Sequence, residues 1–218
     1  MAGQDLETVD EIRDLGVLVD SNLRFDSHIK KTVNKGFRMM GFVLRNAKEF
    51  KKSSSKIKLF QALVLPGLEF NSVIWTPHYE VYIKRLESVQ KRFLYHLAFG
   101  DLEAERLPGY SQRLEHYKLT SLINRRKRLD LIFLHKIVNG SLDCPELLNM
   151  LQFNTPCRLP RKSAYNFFAV VGSKTNLGHF ALLPRLCRTY NSLSKLHDLD
   201  IGLGLNNYKR RLCDILNT

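Results

Sequence analysis

The sequence predicts a mainly α protein, opened by a short N-terminal β-hairpin and closed by a loosely defined basic segment. Two observations carry the helical part. Between Asp26 and Asn139 apolar residues recur at three- and four-residue steps in several long stretches, and Pro, Gly, Ser and Asn separate those stretches. A third carries the hairpin, because the run LGVLVD at 15–20 is short and β-branched, which suits a strand. Four regions follow: a hairpin at 1–25, a helical bundle at 26–100, a further helical region at 101–150 and a basic C-terminal segment at 151–218.

Each element has its own signal. Residues 6–12 and 15–18 are the two expected hairpin stretches, with a turn signal at 20–22 (Asp-Ser-Asn). Asp26 and Ser27 are N-cap types for a first helix, and Ile29, Val33, Phe37, Met40, Leu44 and Ala47 fall on one face of it. Lys31, Lys35, Arg38 and Arg45 fall on the opposite face, with Phe42 among them. Residues 51–55 read as a loop, and a helix from Lys56 is expected to bury Ile57, Phe60, Leu63 and Val64. Pro66 and Gly67 interrupt it, since a proline removes one backbone hydrogen bond and kinks or ends a helix. Trp75 is expected as a large buried anchor, and Thr76-Pro77 closes the segment. A third helix spans 79–99 with the apolar stripe Tyr82, Leu86, Val89, Phe93 and Leu97, while Lys84 and Lys91 lie together elsewhere on it.

Residues 100–109 are acidic, contain a Pro-Gly break and mark a boundary. Thr120 or Ser121 caps a fourth helix that ends at Asn139-Gly140, with Leu122, Leu129, Ile132, Phe133 and Ile137 as its apolar positions. Arg125, Arg126, Lys127 and Arg128 wind around a full turn, so a solvated surface is expected for at least half of them. After Cys144-Pro145 a short helix runs through Leu151, 153–162 is irregular and 165–171 is a strand. Helices at 183–196 and 206–216 finish the chain, the last with Tyr208, Leu212, Ile215 and Leu216 toward the core.

Charge narrows the function classes. The 34 Lys+Arg against 21 Asp+Glu give a net charge of +13, which points to an anionic partner such as nucleic acid. The excess is local, because residues 27–58 hold ten Lys/Arg and one acid, Glu49. A basic stripe with an aromatic in it suits a phosphate backbone and a base or sugar, and the scarcity of acids favours this over a merely solvated helix face. No run of apolar residues is long enough for a membrane span or shaped as a signal peptide, so an intracellular protein, nuclear or cytoplasmic, is expected. The four cysteines, 13, 30 and 26 residues apart, match neither paired zinc ligands nor a disulfide scaffold.

Catalytic patterns are absent from the sequence: no adjacent Asp-Asp pair, GxxxxGK[ST], GxGxxG, GxSxG or HExxH. Gly202-Leu203-Gly204 is expected as loop, and His135 as a surface or satisfied core histidine. No catalytic residue, metal or cofactor is therefore assigned.

Three runs taken in order, DLGVLVDSNLRFDSHI at 14–29, LVLPGLEFNSVIWTP at 63–77 and RLESVQKRFLYHL at 85–97, resemble the region that follows the catalytic palm in reverse transcriptases of jockey-like non-LTR retrotransposons. The likeness continues through LIFLHKIVNGSLDCPELL at 131–148, so it covers about residues 4–150 well and the remainder loosely. It implies that 26–100 is a thumb-like bundle gripping a template-primer, with 1–25 leaving a missing palm. That family's palm motif, Phe/Tyr-x-Asp-Asp, has no counterpart here, so no catalytic role is carried over. With Met1 only a dozen residues before the DLGV run, the chain reads as a truncated, inactive copy, an expectation that an in-frame upstream palm would refute. Expected contacts to RNA, DNA or an RNA/DNA hybrid are Lys31, Lys35, Arg38, Arg45 and Lys52, then Lys84 and Lys91. The alternatives are a helical module that packs on a separate polymerase palm domain or another partner, and a remnant without function.

Overall fold

Leu15 and Gly16 both take positive φ, 42° and 89°. This pairing closes a two-residue hairpin turn whose twist matches the flanking strands. The computed structural model describes residues 9–99, 101, 106–107, 109–155 and 166–217. In it β1 (Glu11–Asp14) pairs antiparallel with β2 (Val17–Asp20), with Asp14 opposite Val17 and Arg13 opposite Leu18. The hairpin thus turns at 15–16, just after the gap at 13–14 between the two expected stretches and ahead of the Asp-Ser-Asn signal. That signal makes a second turn, in which the Asp20 carboxylate accepts the backbone N–H groups of Asn22, Arg24 and Phe25 at 3.0, 3.1 and 2.6 Å. Burial pulls this carboxyl upward, and the backbone donors outweigh it and hold it below the usual carboxylate value.

The chain divides into two compact units, Met1–Arg113 and Leu114–Thr218. In the first, α1 (Asp26–Asn46) follows Phe25, a left-handed N-cap residue that makes no side-chain cap. The expected caps act otherwise, since Asp26 sits in the first turn and Ser27 Oγ donates to Glu11 Oε1 on β1. Ile29, Val33, Met40, Val43 and Ala47 are buried, so the buried stripe follows the expected one except that Val43 stands in for Leu44 and that Phe37 and Leu44 are only half-buried.

Next come α2 (Ser53–Leu59), a π-helical turn (Phe60–Val64), α3 (Leu65–Glu69), α4 (Ser72–Trp75) and α5 (Glu80–Ala98). Pro66 explains the π turn. Its ring would crowd the carbonyl four residues back and it offers no N–H, and the wide turn, closed by Leu65 N–H on the Phe60 carbonyl, absorbs the mismatch. The helix continues across the proline, and the extra residue in the turn swings Leu63 out, 43% exposed, while Phe60, Val64, Leu65 and Leu68 go in. Phe60 stacks on Phe93 of α5 with ring centroids 4.1 Å apart. Trp75 is buried as expected and donates from Nε1 to the Phe70 carbonyl at 2.8 Å. The α5 stripe Leu86, Val89, Phe93 and Leu97 is buried, and Tyr82 is half-buried.

Most of the expected boundary at 100–109 lies outside the described residues; a helix over Tyr110–His116, α6, follows it. In the second unit Ser121 caps α7 (Leu122–Val138), accepting Asn124 N–H at 3.3 Å, and Gly140 is left-handed at the other end. The buried face of α7 differs from the expected stripe. Leu122, Leu131, Leu134 and Ile137 are buried together with Arg126, Asp130 and His135, while Leu129, Ile132 and Phe133 are half-buried. Polar residues enter because they find partners there: Arg185 Nε meets Asp130 Oδ2 at 3.2 Å, and His135 Nε2 meets the Leu203 carbonyl at 2.6 Å. Burial pushes Asp130 up to about 6, against the opposing pull of Arg185 and Arg126.

α8 (Pro145–Asn149) precedes β3 (Gln152–Phe153), which pairs with β4 (Phe168–Ala169). The strand expected over 165–171 is therefore two residues long; its first residue and most of the stretch expected to be irregular lie outside the described residues. α9 (Asn176–Phe180), α10 (Leu182–His197) and α11 (Leu205–Asn217) complete the unit. Leu186 and Tyr190 of α10, Tyr208 and Leu212 of α11 and Phe168 of β4 share one core with α7. Among the described residues, no helix is long and apolar enough to cross a membrane.

Candidate functional site

At 100° per residue Lys35, Arg38, Phe42 and Arg45 lie within about 40° of Lys31 around α1, and at 1.5 Å per residue the stripe is about 21 Å long. All four cations are exposed, Phe42 is 50% exposed, and none of the four makes an ion pair with a described residue. The buried half of the same helix packs on α5, α3 and the π turn, so the core holds this face outward. At its N-terminal half the stripe borders a groove of about 890 Å³ between the hairpin, α1 and α3. Lys31, Lys35 and Arg38 line it from α1, Arg13 lines it from β1, and no acidic side chain lines it.

The opposite wall is built by Pro66, Gly67 and Phe70. Phe70 is 54% exposed, yet its position is fixed from two sides. Trp75 holds its carbonyl, and the ring lies against Gly16, where a Cβ would come within 3.1 Å of Phe70 Cε1. His28 ties the floor together: Nδ1 accepts Leu18 N–H from β2 at 3.2 Å, which leaves the proton on Nε2, 3.4 Å from Thr32 Oγ1. Its ring meets Trp75 edge-on with centroids 4.9 Å apart. Burial and then the nearby Lys31 charge hold the His28 pKa below its ordinary value, so the neutral ring is the one this pocket accommodates.

Of the seven residues expected from the sequence to contact nucleic acid, the structure gathers Lys31, Lys35 and Arg38 at the groove and places Arg45 farther along the same stripe. Lys52 is exposed at the N-cap of α2. Lys84 and Lys91 are exposed on α5, away from the groove lining, and Lys84 is paired with Glu80 at 3.1 Å. Arg13 and Phe70 were not expected. The signal for Arg13 is the Leu-Gly turn, which sets the hairpin register; Phe70 carries none, because an exposed aromatic and a core aromatic read alike in sequence.

What this arrangement can do is attract and hold an extended anion. Preorganised cations along a helix and in a groove neutralise successive phosphates, while exposed aromatic faces accept a base or sugar. Among the described residues no group of three or more His, Cys, Asp or Glu side chains is placed to hold a metal ion. Comparison with protein-family models, with curated proteins and with solved structures finds no match to this chain.

Proposed function

We propose that the chain is a non-catalytic nucleic-acid-binding module of reverse-transcriptase descent, whose first unit holds the sugar-phosphate backbone of RNA, DNA or an RNA/DNA hybrid without sequence preference. The observation that carries this reading is the joining of the α1 stripe to an acid-free groove lined by Arg13, Lys31, Lys35 and Arg38. Descent from a polymerase thumb rests on the order of the three runs at 14–29, 63–77 and 85–97. The test is fluorescence anisotropy with two hybrids of unrelated sequence at several salt concentrations. The reading expects equal affinities that fall steeply with salt. It is refuted by no binding at 50 mM salt, or by a tenfold preference for one sequence.

A second reading, a helical module that packs on a separate palm domain, has support in Ile74 and Val81, which are 55% and 61% exposed on the first unit. Size-exclusion chromatography separates the two: a clean monomer that binds hybrid favours the first, and salt-indifferent self-association favours the second.

A further inference from the structure

The groove has features that a duplex-binding surface does not need. A paired strand keeps its bases stacked on one another inside the helix, out of reach of a side chain in a cleft. An unpaired strand exposes a base face at every step, and aromatic side chains in basic channels bind by stacking on it. Phe70 is an aromatic of this kind: half-exposed, its ring beside Gly16 and its backbone carbonyl bonded by Trp75, and across a groove from Lys31, Lys35 and Arg38. Phe37 lines the same groove and is half-buried. The volume, about 890 Å³, lies in the range of small-ligand sites and has room for a short stretch of one strand.

Resting on the reading of this surface as a nucleic-acid interface, we propose that the groove between the hairpin, α1 and α3 is a binding site for single-stranded nucleic acid, with a base stacked on Phe70 and the adjoining phosphates held by Arg13, Lys31, Lys35 and Arg38. The outer stripe, with Phe42 and Arg45, continues the path of the same strand along α1. Gly67 stands in the groove wall with nothing within 4 Å of where its Cβ would be, so the wall is smooth and the space beside it open.

That glycine supplies a blocker that leaves the fold intact. Gly67 is in helical backbone with negative φ and its Cβ would stand in open space, so Gly67→Leu places a side chain on the groove wall and removes a poor helix former. The experiment titrates the whole chain into a dye-labelled eight-nucleotide oligothymidylate and, separately, into a blunt hybrid duplex, using wild type, Gly67→Leu, Phe70→Ala and the quadruple variant Lys31→Gln, Lys35→Gln, Arg38→Gln, Arg45→Gln. The expected result is that Phe70→Ala and Gly67→Leu each weaken oligothymidylate binding by at least about fivefold, the low end for one stacked base, and weaken it more than they weaken duplex binding. If both leave oligothymidylate binding unchanged while the quadruple variant weakens it, the groove site is overturned and the backbone-binding reading stands. If wild type binds neither probe, both fall.

Discussion

Replacing Lys31, Lys35, Arg38 and Arg45 together by Gln tests the interface through a quantity that the fold does not control. Each phosphate neutralised on a duplex contributes about −0.9 to the slope of log affinity against log salt, so four lost contacts reduce the slope by about 3.6. Between 50 and 200 mM salt those four contacts account for a loss of about 150-fold in wild-type affinity, and the variant should lack that part of the fall. All four side chains are exposed, so far-UV circular dichroism and Trp75 emission should match wild type. Net charge drops from +13 to +9, and a control must drop by the same amount: Lys118, Lys127, Lys174 and Arg210, all exposed in the second unit, changed to Gln. Anisotropy titrations with an RNA/DNA hybrid at four salt concentrations give the slopes. Equal slopes for the variant and wild type, or an equal reduction in the control, would refute the assignment of the stripe.

The remaining expectations concern what holds the site. Phe60→Ala empties a fully buried position stacked on Phe93 and should cost about 3–5 kcal/mol, read as a lower denaturant midpoint of Trp75 fluorescence; a loss below about 1 kcal/mol would contradict the stacked core. His28 remains neutral in the folded chain at pH values where the unfolded chain takes up its proton, so its contribution is complete above about pH 6.5 and declines as pH falls from there toward the lower folded value. The Trp75 midpoint should follow that decline, and His28→Asn should flatten it while substitution of the exposed His96 does not. At Gly36 a Cβ would stand 2.8 Å from Leu68 Cδ2, so Gly36→Ala should lower the same midpoint by about 1–3 kcal/mol of overpacking, less up to about 1 kcal/mol from the better helix former. Asp130→Ala at pH 8 leaves Arg185 facing a lost carboxylate and should destabilise the second unit by about 3–5 kcal/mol in thermal melts followed by circular dichroism.

Long helices were legible because their apolar spacing is a property of the helix itself. α1, α5, α7, α10 and α11 all lie within a few residues of the expected spans, and the α5 stripe is buried almost as written. Local chemistry that competes with a stronger signal was harder to read. Leucine is an unfavourable residue for the left-handed region, so the run from Leu15 reads as strand, although Leu15 and Gly16 form the turn itself. On α7 the eye follows leucines and isoleucines, whereas the buried face also takes Arg126, Asp130 and His135; a polar residue joins a core only through partners distant in sequence, here Arg185 and Leu203. The basic stripe was visible because it follows from periodicity alone. The groove beside it was not, because it depends on where the hairpin and α3 come to rest.

Where α3 comes to rest follows from one residue. Pro66 cannot donate to the helix, the π turn before it takes in an extra residue, and that residue rotates Leu65 and Leu68 inward in place of Leu63. Leu68 reaches the surface of α1 only because position 36 is glycine, which lets the two backbones approach. Two residues beyond Leu68 the chain turns sharply through Phe70 and left-handed Asn71, and Trp75 bonds back to the Phe70 carbonyl from inside the core. The aromatic wall of the groove is thus set by buried contacts, and its opposite wall, the α1 cations, is set by the other side of the same core. A core substitution that shifts α3 should therefore alter binding before it unfolds the protein, whereas loss of an exposed cation should alter binding without touching stability.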